Sequence, residues 1–154
     1  MSPVKAIPDG YPRITPYLCI NGAEEAIGFY SAVLGAKERM RLPTPDGKIG
    51  HAELQIGDGL LMVSDEFPDW GVTAPGTIGG SPVTISIYVE DVDTVYAAAI
   101  AAGATETMPV TDHFYGDRSG QFVDPFGHKW NVATHIEDVA SDEIQRRMKA
   151  EFGG

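Results

Sequence analysis

The side chains with the most chemical potential in this chain form an alternating row, His51-Ala-Glu53-Leu-Gln55. In an extended chain successive side chains point to opposite faces. His51, Glu53 and Gln55 therefore share one face, and Ala52, Leu54 and Ile56 share the other. An imidazole two residues from a carboxylate suits general-base work, and the same pair could hold a metal ion. The row also reads as a solvated or hydrogen-bonded strand face, since polar groups opposite an apolar one must meet water or a polar cavity. Glu53 and His51 are the catalytic candidates. Arg118 can grip two oxygens of an anionic or carbonyl-bearing ligand, or pair with Asp117, Asp124 or Glu53. Tyr17, Tyr88, Tyr115, Phe114 and Trp70 could line an aromatic pocket for a planar ligand, whereas Trp130 and Phe122 suit core filling better. His113, beside Phe114, is placed for a cavity mouth by position alone. His128 and His135 flank the last extended run and read as hydrogen-bonded structural residues. Cys19 has no basic neighbour in sequence to activate its thiol. The chain carries no Gly-rich phosphate loop, no Cys-x-x-Cys pair and no serine elbow.

The elements that must position these residues follow from periodicity. Ile14 to Ile20 alternates, with 14, 18 and 20 toward a helix layer and Thr15, Tyr17 and Cys19 on the other face. Asn21, with Glu24 three residues on, predicts a capping box for a helix whose stripe is Ala23, Ala26, Ile27, Tyr30, Val33 and Leu34, stopped at Gly35. Extended runs follow over 36–42, 48–56 and 60–65, giving β-α-β-β-β. The Gly- and Pro-rich stretch that comes next, with Trp70 inside it, is a crossover or a lid. From Val83 the pattern restarts. Val83, Ile85, Ile87 and Val89 alternate with Thr84, Ser86 and Tyr88, and Asp91 caps a helix that Gly103 ends. Gly35-Ala-Lys-Glu-Arg-Met40 matches Gly103-Ala-Thr-Glu-Thr-Met108 at a spacing of 68 residues, as Gly59 matches Gly127.

The expected fold class is therefore α+β: two βαβββ modules pairing into an eight-stranded half-barrel around a cavity, plus a C-terminal helix. Residues 1–12 form an arm, and 13–138 a single domain made of a first module (13–66), a linker (67–82) and a second module (83–138). Residues 139–154 form a helix and tail, the helix running from Ser141 to Phe152.

Eleven Lys plus Arg against 22 Asp plus Glu give a net charge of -11, which repels a phosphate backbone and an anionic membrane surface alike. No nucleic acid and no membrane are expected as partners. A single cysteine, no signal-like N-terminus and no run of 18 apolar residues read as a soluble cytoplasmic protein.

Phe29-Tyr30 late in the first helix, then Val33-Leu34-Gly35, and a closing Asp124-Pro-Phe-Gly127 hairpin on paired modules resemble the vicinal oxygen chelate superfamily. That group includes glyoxalase I, extradiol dioxygenases, methylmalonyl-CoA epimerase and the fosfomycin and bleomycin resistance proteins. Ser64-Asp-Glu66, Tyr115-Gly-Asp-Arg118, Asp124 to Trp130 and Ala133 to Val139 look like its PhnB-like branch. The resemblance covers residues 13–148. It implies a divalent ion held by His, Glu or Gln from the first and fourth strands of each module. Carried over, those positions fall on Thr15, Thr84, Asn131 and either Met62 or Val63. None is a histidine or a carboxylate, so no metal is expected there, while a divalent ion held elsewhere stays open.

The expected function is that of a glyoxalase- or bleomycin-resistance-like protein without the usual metal site, binding and sequestering a drug or metabolite, as a homodimer. Its ligand-binding candidates are Thr15, Tyr17, Gln55, Thr84, Ser86, Tyr88, Tyr115, Arg118 and Asn131. The alternative is an isomerase, lyase or transferase acting on a small polar substrate. It would be metal-free with Glu53 or His51 as base, or would use a non-standard metal site.

Overall fold

The structure, a computed structural model, describes residues 3–153. The first two residues of the expected arm and the last of the expected tail lie outside the described residues. The chain forms two compact units that divide between Gly80 and Ser81.

The first unit is built as β1 (Tyr17–Ile20), α1 (Ala23–Leu34), β2 (Lys37–Pro43), β3 (Ile49–Ile56) and β4 (Gly59–Asp65). Its sheet runs β1-β4-β3-β2, with β1 parallel to β4 and the other pairs antiparallel. Leu18, Ile20, Ala52, Leu54, Leu61 and Val63 bury one sheet face, and Ala26, Ile27, Tyr30, Val33 and Leu34 are the buried stripe of α1. Two expectations need correction here. The first strand starts at Tyr17 rather than Ile14, and Ile14 is exposed. Pro16 has no N–H to give a ladder; its carbonyl accepts from the Met62 N–H at 2.9 Å, and regular pairing begins one residue later. Nor does Asn21 cap α1. The cap residue is Gly22, in a left-handed conformation (φ 98°), without a side-chain cap. The helix's first N–H, from Ala23, is instead accepted by Asp65 at 2.8 Å, and the other oxygen of that carboxylate takes the Ile49 N–H at 2.7 Å. A carboxylate from β4 thus does by tertiary contact what a local cap would do.

The Gly- and Pro-rich stretch after β4 is ordered. Phe67 and Val72 form an isolated antiparallel bridge around a 3₁₀ turn at Pro68–Trp70, and Gly71 closes the turn with φ 75°. A short helix, α2 (Pro75–Ile78), follows. Glu66 accepts from the Ala74 N–H at 2.7 Å and from the Thr77 hydroxyl at 2.5 Å, tying the segment back to the end of β4.

The second unit repeats the plan with β5 (Thr84–Tyr88), α3 (Val92–Ala101), β6 (Thr105–Asp112), β7 (Asp117–Val123) and β8 (Lys129–His135). The order is β5-β8-β7-β6, and α4 (Ser141–Phe152) follows. The predicted Asp91 cap is present, its carboxylate accepting from the Thr94 N–H and hydroxyl. The Asp-Pro-Phe-Gly-His-Lys-Trp stretch owes its shape to one side chain. Buried Asp124 accepts from the backbone N–H groups of Phe126 and His128 with one oxygen and from the Trp130 indole N–H, at 2.9 Å, with the other. Gly120 on β7 leaves no room for a side chain, since a Cβ there would lie 2.8 Å from the Tyr96 ring.

Candidate functional site

The face of the first sheet away from α1 carries the row read from sequence. Met62 pairs with Tyr17 across β1–β4 and with Glu53 across β3–β4, so all three side chains share this face, while Val63 is buried on the helix side. Tyr17 and His51, on strands that both flank β4, meet over it with the Tyr17 hydroxyl 2.7 Å from His51 Nδ1. His51 Nε2 lies 3.0 Å from one Glu53 oxygen, and the Tyr11 hydroxyl donates to the other at 2.8 Å. The result is a continuous chain, Tyr11–Glu53–His51–Tyr17. Glu53 is 4% exposed, and its carboxyl is held below the usual range chiefly by the hydrogen bond from His51, against the cost of burial, with Tyr11 helping. The Tyr11 phenol is pushed up by donating to Glu53, and the Tyr17 phenol by burial.

A cavity of about 500 Å³ opens beside this chain, within the first unit. Tyr17, Cys19 and Ser64 line its sheet side, and Phe67, Trp70 and Val72 line the other from the ordered segment after β4. Trp70 is 83% exposed and its ring lies 6.0 Å from that of Phe67. Burial raises the Cys19 thiol pKa, with carboxylates nearby, so the thiol is not an activated nucleophile.

The remaining sequence candidates fall elsewhere. Thr15 precedes β1 and is half-buried. Gln55 donates to the Gly57 carbonyl at 3.0 Å and lines a separate cavity of about 480 Å³ with Tyr11 and Arg39. In the second unit, Thr84 begins β5 opposite Lys129, and the Asn131 amide donates to the Ser86 hydroxyl at 2.9 Å. Tyr88 donates to Asp117 at 2.7 Å, and the other Asp117 oxygen meets His135 Nδ1 at 2.8 Å. His135 Nε2 meets Asp138 at 2.7 Å, and the two carboxylates, Asp117 first, raise the histidine's pKa. Tyr115 stacks on His113 at 5.2 Å in a cavity of about 420 Å³ that Phe114 and Phe152 also line. Arg118 makes none of the pairs considered from sequence. Its guanidinium is bidentate to Asp93 of α3 and also meets Asp112 of β6, all at 2.9 Å, so its fork is engaged within the protein.

Sequence reasoning missed Tyr11, Ser64 as a cavity residue, Phe67 and Val72. Tyr11 sits in a proline-rich arm without periodicity, and Phe67 and Val72 sit in a segment whose turn chemistry is legible only residue by residue.

The residues at the metal positions implied by resemblance are two hydroxyls (Thr15, Thr84), one thioether (Met62, which the pairing places on the open face) and one amide (Asn131) already bonded to Ser86. Without an anion or an imidazole this donor set does not fit a first-row divalent ion. Among the described residues no group of three or more His, Cys, Asp or Glu is arranged to hold one.

The family model described as the Glyoxalase/Bleomycin resistance protein/Dioxygenase superfamily matches residues 12–132. The uncharacterized protein Mb0911c of Mycobacterium bovis is 39% identical over 146 residues, covering 93% of this chain and 96% of that protein. The crystal structure of PA1353 from Pseudomonas aeruginosa superposes with a TM-score of 0.69 at 30% identity, over 82% of this chain and 99% of that one. The PhnB protein from Bacillus cereus shares the fold, with a TM-score of 0.63 at 19% identity over 80% of this chain and 99% of that one.

Proposed function

The chain belongs to the glyoxalase/bleomycin resistance protein/dioxygenase superfamily, and from that premise we propose that it is a small-molecule-binding member that works without the family's metal. The supporting observation is the cavity of the first unit, where an exposed indole and a phenyl ring face a phenol, a thiol and a serine hydroxyl across a space sized for a small planar compound. Stacking against Trp70 and Phe67 supplies affinity, and the polar side fixes orientation. Sequestration asks for no reaction step and no ion, in keeping with the donor set described above. The working form proposed is a cytoplasmic homodimer, and the further expectation that it meets neither nucleic acid nor an anionic membrane surface is supported by the net charge of -11. Among the described residues no helix is long and apolar enough to cross a membrane.

The test is a thermal-shift screen of planar aromatic compounds followed by calorimetry on the hits; a ligand at a hundred times its Kd stabilises by about 2.7 kcal/mol. Trp70→Ala, a change at an exposed position with little expected effect on stability, is expected to weaken binding by about tenfold or more. Unchanged affinity in that variant would contradict the assignment of the cavity.

A second reading, a metal-free enzyme, has one observation in its favour: the Glu53–His51–Tyr17 chain, in which a carboxylate orients an imidazole toward a hydroxyl. The outer group of that chain is Tyr17, since both Glu53 oxygens are engaged. Conversion of a bound compound that survives chelation and disappears in His51→Ala would favour this reading over sequestration.

A further inference from the structure

The polar groups on the sheet side of the first-unit cavity have partners within the protein that can take their hydrogens. Glu53, an ionised carboxylate, can only accept, and it takes the Tyr11 hydroxyl hydrogen at 2.8 Å and faces His51 Nε2 at 3.0 Å. In the neutral ring that contact places the hydrogen on Nε2 and a lone pair on Nδ1. With that tautomer the Tyr17 hydroxyl, 2.7 Å from Nδ1, donates its single hydrogen to the histidine, and its oxygen is left to accept, from the Ser64 hydroxyl or from a ligand. Ser64 donates to the Asp65 carbonyl at 3.0 Å, and the Cys19 thiol points its weak donor at the same carbonyl from 3.9 Å. Ser64 and Cys19 are cross-strand partners, so with Tyr17 they form one contiguous wall.

We infer that this wall recognises hydrogen-bond donors, and that the ligand is a planar aromatic compound with an N–H-bearing edge that meets Tyr17 and Ser64 while its ring face lies on Trp70 and Phe67. The inference rests on the cavity being the binding site. A ligand edge made only of acceptors would set lone pairs against lone pairs and strip water from both. His51 and Glu53 are positioning residues in this account: they decide which way the Tyr17 hydroxyl points.

Two cations of matched ring size and charge test it: 9-aminoacridine, which carries N–H donors, and 10-methylacridinium, which carries none. Calorimetry on the full chain is expected to give at least about tenfold tighter binding of 9-aminoacridine, the worth of one or two good hydrogen bonds. In His51→Leu the Tyr17 hydrogen is free to rotate into the cavity, and the ratio is expected to fall to about threefold or less. Equal binding of the two cations by the native chain, or an unchanged ratio in a folded His51→Leu variant, would overturn the inference while leaving the cavity as a binding site. Failure of both cations to bind in a Trp70-dependent way would count against the binding site itself. Nitrogen-15 NMR of the His51 ring in the native chain decides the inference independently of either probe. Nε2 protonated and Nδ1 bare at neutral pH supports it; a proton on Nδ1 overturns it.

Discussion

Asp124→Ala is expected to cost the protein about 3 kcal/mol of stability, the sum of a lost buried acceptor and the polar groups it leaves behind. The carboxylate is 3% exposed and satisfies the N–H groups of Phe126 and His128 as well as the Trp130 indole, itself 1% exposed. Water cannot replace an acceptor for an indole N–H at that depth without opening the core around Phe122 and Val132. For a chain of this length such a loss lowers the melting midpoint by roughly 10 °C. Asp124→Asn separates the contributions. Its amide oxygen can still accept the two backbone hydrogens, but its NH₂ then faces the indole donor, so an intermediate loss is expected. Urea unfolding of the three proteins checks this; a full-strength Asp124→Ala variant would show that the hairpin stands without its carboxylate.

Glu53→Ala is the second large effect, about 2 to 3 kcal/mol, because it removes a buried carboxylate on which Tyr11 and His51 both depend. The arm should loosen with it. Arg39 also holds the arm, through the Gly10 carbonyl at 3.0 Å and over the Tyr11 ring at 5.0 Å, but from the surface. The pH dependence carries a definite sign. Hydrogen bonding, from His51 foremost, lowers the Glu53 pKa in the folded state, so its contribution is fully present above the ordinary glutamate value of about 4.3. It is lost as pH falls from there through the lower folded value. Stability of the native chain should therefore decline on acidification in that window, and Glu53→Gln should flatten the decline. Parallel acid limbs for the two proteins would mean that Glu53 is not ionised and bonded as described.

Much of this architecture is legible in the residues themselves because it is periodic. The alternation over 51–56 put Ala52 and Leu54 on the buried face, and the 68-residue echo set two modules that the two identical strand orders now display. What periodicity does not carry is strand order. Tyr17 reaches His51 only because β1 lies parallel to β4 and β3 lies on β4's other side, so that the two side chains meet across a strand. Asp65 replacing Asn21 at the start of α1 and Asp93 pairing with Arg118 are contacts of the same kind, between elements distant in sequence with no local signature. At the start of β1 the alternating hydrophobicity pointed one way and Pro16 the other, and the missing N–H won. The candidate site was half visible: Tyr17, His51, Glu53 and Trp70 stood out by type and phase, whereas Tyr11 and Phe67 drew no attention, Cys19 was read only as a small cavity or core residue, and Ser64 was noticed only as part of a motif until the fold brought them to the same place.

The most direct measurement of the central claim is a backbone amide NMR titration of the full chain with 9-aminoacridine. Binding in the first-unit cavity predicts shift changes concentrated at Tyr17, Cys19, Ser64 and the 67–73 segment, with the Trp70 indole among the largest. Changes concentrated instead around Met108 to Gln121, or spread without a centre, would contradict it.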